Sequence, residues 1–180
     1  KVISPSFRNH VLAVFAKAGC NSGACHGALA GKGGFRLSLR GYDPASDYRT
    51  IVTQARGRRI ELADPGRSLI LAKPTGALPH KGGIRFDTDS RDYEVIADWI
   101  AGGAKPPADS DPTVDRVEIL PDDVQLSVGD KQDFIVRAHY SDGHVEDVTR
   151  WVKFSSSDET VAAVDQNGTA SVIGPGAGAV

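Results

Sequence analysis

Both cysteines of this 180-residue chain fall in one short stretch, Cys20-Asn21-Ser22-Gly23-Ala24-Cys25-His26. Two thiols with an imidazole directly after the second can support two kinds of chemistry. The thiols can oxidise to a disulfide, which is common in exported proteins. Alternatively, each thiol can add across a vinyl group of a porphyrin, giving two thioethers and bringing His26 to the iron as proximal ligand. The usual spacing for the second chemistry is C-x-x-C-H, which puts the sulfurs about 60° apart around a helix axis. Here the spacing is C-x4-C-H, and a regular helix would put the sulfurs about 140° apart. The segment between them must therefore bulge. Asn21, Ser22 and Gly23 are turn formers, and Gly23 can take a positive φ. Spacing alone leaves both chemistries open.

A haem iron needs a decision about its sixth position. The chain has no Met, so a thioether ligand is excluded. His80, in Leu78-Pro79-His80, is the best candidate for a distal ligand. His10, Lys81 or no protein ligand are the alternatives. A His26/His80 pair should lower the reduction potential relative to His/Met ligation, which raises it. An empty sixth position would let the iron bind small molecules.

The other candidates read more simply as structure. His10 lies on the first helix and is expected to face solvent. His139 and His144 flank the turn Tyr140-Ser141-Asp142-Gly143 and read as an exposed hairpin, although two nearby His can bind metal. Trp99 and Trp151 read as core, with Trp99 also placed to stack near a haem. Arg36, Arg40, Arg58, Arg59 and Arg67 could pair with propionates, and each alone reads as a surface charge.

The elements that must position these residues divide the chain in two. A Pro-rich polar linker over 105–113 separates residues 1–104 from 114–180. In the first part, Ser6 to Lys17 has a helical apolar stripe with Gly19 as its stop. Phe35 to Arg40 alternates like an extended segment. Asp47 to Thr53 and Ser68 to Lys73 read as short helices, the latter stopped by Pro74. Asp92 to Ala101 reads as a helix ended by Gly102-Gly103. In the second part, short strands are expected over 114–119, 124–128, 134–140, 151–154, 161–164 and 170–173. Asn167-Gly168 is a hairpin signal, and the regular spacing suggests a sandwich.

Bulk properties narrow the function. With 21 basic and 23 acidic residues, no basic field argues for nucleic acid. No apolar run approaches the ~20 residues of a membrane span, and no signal peptide is visible at Lys1.

Residues 1–104 resemble the cytochrome c domains of planctomycete proteins. The resemblance rests on Cys20 to Gly27, on Gly33-Gly34-Phe35-Arg36-Leu37-Ser38-Leu39-Arg40-Gly41-Tyr42-Asp43-Pro44, on Lys73 to Gly83, and on Asp98-Trp99-Ile100-Ala101-Gly102-Gly103-Ala104. Residues 114–180 resemble a bacterial Ig-like domain of group 2, through Leu126-Ser127-Val128-Gly129, Trp151 before Ser155-Ser156-Ser157-Asp158, and Val164-Asp165 before Asn167-Gly168. A further strand would be expected after Gly174 to Val180, so the sandwich reads as C-terminally truncated. The resemblance implies a multidomain chain, with a mostly α cytochrome c-like domain followed by an all-β Ig-like sandwich. It also implies one covalent haem c, export to the periplasm or cell surface, and residence in a larger multidomain protein.

The expected function is single-electron transfer between redox partner proteins, by an electron carrier rather than an enzyme. One alternative is a haem enzyme or gas sensor with an open iron site. The other is a haem-free adhesion or scaffold module with a Cys20–Cys25 disulfide.

Overall fold

The computed structural model describes residues 5–180. The chain divides into two compact units between Asp111 and Pro112.

The first unit opens on a π turn, Phe7–Val11, that runs into α1, Leu12–Lys17. Ser6 caps it: its Oγ accepts from the Asn9 N–H at 3.1 Å, as short hydroxyl side chains do at helix starts. Helix α2, Pro44–Val52, starts at a capping Asp43 with Pro44 in its first turn, where a missing N–H costs nothing. Helix α3 is the single turn Leu69–Ala72, and α4 is Arg91–Ala101. The Ser90 cap and the acidic Asp92 and Glu94 favour the start of α4.

The core forms where α4 meets the first turns. Val95, Ile96, Trp99 and Ile100 are buried beside Phe7, Val11 and Val14. The Trp99 ring lies 5.2 Å from Phe7, and its indole N–H donates to the Lys105 carbonyl at 3.0 Å. Trp99 is thus a core residue with its polar atom satisfied. His10 is buried, not solvent-facing, and its Nδ1 accepts from the Ser6 N–H at 2.9 Å.

The second unit holds two three-stranded antiparallel sheets. One is β1 (Val114–Leu120), β3 (Ile135–Tyr140) and β4 (Val145–Asp147), in the order β1-β3-β4. The other is β2 (Lys131–Asp133), β6 (Thr169–Val172) and β5 (Ala162–Val164), in the order β2-β6-β5. Val136, Ala138, Tyr140 and Val148 form its small core, with Ile119, Trp151, Val152 and Phe154 packed on it. The turn at Asn167-Gly168 joins β5 to β6, with Gly168 at φ 88°.

This architecture corrects the expected fold class. Only 27% of the chain is helical and 16% is strand, in two small sheets, so it is neither a mostly α cytochrome-like domain nor a clear Ig-like sandwich. The physical reason lies in particular segments. Residues 18–38 and 73–90 are turn and loop, punctuated by glycines at positive φ such as Gly19, Gly31, Gly33 and Gly34. Phe35 to Arg40 forms no strand: Phe35 makes an isolated bridge to Lys32, and Leu39 and Arg40 enter a 3-10 turn, Leu39–Gly41. Val124 to Val128 alternates but forms no strand: Val128 is exposed, and the Asp130 carboxylate closes a turn on the Ser127 N–H. Trp151 ends a 3-10 turn, Thr149–Trp151, and Trp151, Val152 and Phe154 pack on the core without joining a ladder. Alternation predicts a strand only where a partner backbone is available.

Among the described residues, no helix is long and apolar enough to cross a membrane.

Candidate functional site

The C-x4-C-H stretch leaves the helix before its first cysteine. Gly19 takes φ 75° at the end of α1, and the chain then folds on itself. The Ser22 N–H donates to Gly19, the Cys25 N–H to Ser22, and the His26 N–H reaches back to the Cys20 carbonyl at 2.9 Å. The bulge therefore turns on Gly19, and Gly23, expected to supply a positive φ, does not adopt one. Gly27 is needed for a different reason. A Cβ there would lie 2.2 Å from the Asn21 carbonyl oxygen, so only glycine lets the two backbones meet. The Asn21 side-chain nitrogen is buried within this loop and has no hydrogen-bond partner among the described residues.

Cys20 and Cys25 are half-buried free thiols. Burial pushes the Cys20 thiol up to about 11, against the Arg85 guanidinium, which pulls the other way, and with Cys25 adding to the rise. Arg85 also lies 3.8 Å from the Cys25 sulfur. Arg85 was not singled out among the sequence candidates; it is sixty residues from Cys25, and no spacing rule connects them.

His26 is held on two sides. Its Nδ1 lies 3.0 Å from the Phe35 carbonyl oxygen, and its ring packs on the Phe35 ring at 4.6 Å. That carbonyl is itself fixed by the Lys32 N–H at 3.1 Å and by Gly31, where a Cβ would come within 2.4 Å of it. His80 is held in the same way by a tight turn. Its Nδ1 lies 2.9 Å from the Gly83 carbonyl, and its ring lies against the Gly82 backbone, where a Cβ would meet Cε1 at 2.7 Å. Lys73 donates to the Pro79 carbonyl and steadies that turn. A carbonyl can only accept, so in each ring Nδ1 must carry the proton, and Nε2 keeps the lone pair. Metal-ligating histidines are commonly oriented this way. Burial is the main cause that lowers the His26 pKa, with His80 and Lys32 adding to it against the Phe35 and Lys32 carbonyls. The neutral, ligating form is thereby favoured.

The two rings come together, 54 positions apart in sequence. Their centroids lie 6.2 Å apart and their planes 11° apart. That distance can be compared with two imidazoles on one metal. A nitrogen–metal bond of about 2 Å and about 1.1 Å from that nitrogen to the centre of a ring with ~1.33 Å bonds, taken on both sides, give roughly 6.2 Å. The donor set would suit a haem, whose iron would ask only two donors of the protein, here the Nε2 atoms of His26 and His80. Among the described residues there is no cluster of three or more His, Cys, Asp or Glu that would hold a bare ion.

The remaining candidates lie elsewhere. Lys81 is exposed beside His80. Arg36, Arg40, Arg58 and Arg67 are exposed, whereas Arg59 is buried. His139 pairs with Glu118 and Arg116, and His144 pairs with Asp142 while stacking on Tyr140 at 4.2 Å.

No family model matches the chain, and no curated protein matches it.

Proposed function

We propose that this chain is a c-type cytochrome that carries single electrons outside the cytoplasm. Cys20 and Cys25 hold one covalent haem c, His26 is the proximal ligand and His80 the distal one. The observation that carries the reading is the His26/His80 pair, with near-parallel rings at 6.2 Å and each Nδ1 committed to a backbone carbonyl. When bound, the haem supplies a one-electron couple at its iron.

The chain's own residues supply the rest. The Cys20 and Cys25 thiols anchor the ring edge, and thioether formation requires thiols rather than a disulfide. Phe35 and Gly83 accept the Nδ1 protons and so fix the tautomer that ligates. Gly31 and Gly82 leave room for that carbonyl and that ring. The role rests on this site and not on fold. The resemblance to planctomycete cytochromes c and the periplasmic or cell-surface location belong to this proposal, as do redox partner proteins.

The test is a visible spectrum of the protein exported by a host that attaches haem c, recorded before and after denaturation. The expected result is haem that survives denaturation and a six-coordinate low-spin spectrum. His80→Ala should keep the haem but turn the spectrum high-spin and open the iron to carbon monoxide. Colourless protein from that host overturns the reading.

A further inference from the structure

Arg59 is buried, with 6% of its surface exposed, and among the described residues no carboxylate pairs with it. Its guanidinium is met by carbonyls instead. Nη1 donates to Thr50 at 2.7 Å and to Gln54 at 3.2 Å, and Nη2 donates to Gly34 at 3.0 Å. Thr50 lies in the last turn of α2, where the helix dipole favours a cation. The guanidinium carbon also sits 4.8 Å over the Phe35 ring, in cation–π contact. Burying a charge without a counter-ion is costly, and carbonyl dipoles satisfy its donors without neutralising it. A full positive charge therefore remains in the interior. Phe35 touches both groups, since its ring also lies 4.6 Å from the His26 imidazole.

We propose that Arg59 is a positioning residue for the redox centre, which also raises its reduction potential. The proposal rests on haem binding at His26. Arg59 grips the Gly34 carbonyl and the Phe35 ring, and so fixes the segment whose next carbonyl accepts the His26 Nδ1 proton. Its charge disfavours the oxidised state, which carries one more positive charge than the reduced one. A unit charge roughly 10 Å away at an effective dielectric of ~20 shifts such an equilibrium by about tenfold. Two neutral imidazoles lower the potential relative to His/Met ligation, and Arg59 offsets part of that fall.

The experiment is a potentiometric titration of the haem-loaded full chain. Arg59→Gln should lower the midpoint by about the tenfold equivalent, ~59 mV for one electron. Arg59→Lys keeps the charge and should restore most of it. Arg59→citrulline keeps the planar group but not the charge, and serves where the glutamine variant does not fold; its midpoint should fall equally. In the haem-free protein, Arg59→Gln should weaken the proton–proton cross-peak between the His26 and Phe35 rings. An unchanged midpoint in folded, haem-loaded variants, or an Arg59→Lys midpoint as low as that of Arg59→Gln, overturns this inference and leaves the haem reading standing. A wild-type chain without haem overturns both.

Discussion

Gly82→Ala tests the proposed role of His80 as distal ligand. An ideal Cβ at Gly82 lies 2.7 Å from Cε1 of His80, 3.1 Å from Nε2 and 3.3 Å from Nδ1. Carbon atoms rest at about 3.5–4.0 Å, so the ring must retreat by about 1 Å. That shift is several times the ~0.2 Å window within which metal–ligand distances normally fall, so the alanine should weaken a bond from His80 to an iron. Gly82 does not occupy the positive-φ region, so alanine costs nothing in the backbone there. In the haem-free chain the imidazole swings aside and stability changes little. With haem bound, the ring must be forced back, and overpacking of about 1–3 kcal/mol reduces His80-bound iron by roughly 5- to 150-fold. The assay is the spectrum and carbon monoxide binding of the reduced protein, beside chemical denaturation of the haem-free chain. Gly83→Ala is the control. Gly83 has open space around its Cβ position but a φ of 74°, so that variant should lose about 1–2 kcal/mol of stability and keep its spectrum. A Gly82→Ala protein that stays six-coordinate and inert to carbon monoxide would refute the reasoning.

Two further outcomes follow from single groups. The buried Asp47 carboxylate accepts from the Ser38 N–H and hydroxyl, yet burial outweighs those bonds and raises its pKa. The folded state thus holds this proton to higher pH than the unfolded chain, and stability falls as pH rises from about 4 through the raised value. Asp47→Asn should remove that slope in denaturation curves taken across the range, and a retained slope would assign it to another group. Arg85 lowers the Cys20 pKa against burial, so Arg85→Gln should reduce the thiolate fraction and slow alkylation of Cys20 in the haem-free protein several-fold. Equal alkylation rates would place the Arg85 charge too far away to act.

Some of this protein was legible from local chemistry. The apolar positions Val95, Ile96, Trp99 and Ile100, followed by Gly102-Gly103, mark α4 because the 3.6-residue period and the glycine stop are local properties. Asn167-Gly168 marks a hairpin for the same reason. The two thiols, the adjacent imidazole and the absence of Met restrict the available chemistry by composition alone. Local pattern was misleading where structure needed a distant partner. Val124 to Val128 alternates without a neighbouring strand, and Phe35 to Arg40 alternates in a loop. The fold class went wrong with them, because sheet formation depends on which backbones meet.

Tertiary structure decided the rest. The near-parallel approach of the His26 and His80 rings depends on two separate loops converging, and no periodicity encodes that. Arg85 reaches Cys25 across sixty residues, and Arg59 turns inward to three carbonyls while Arg58 beside it stays exposed. Sequence names the groups able to react. Their distance, burial and hydrogen-bond partners, which set tautomer and charge, exist only once long-range packing has brought them together.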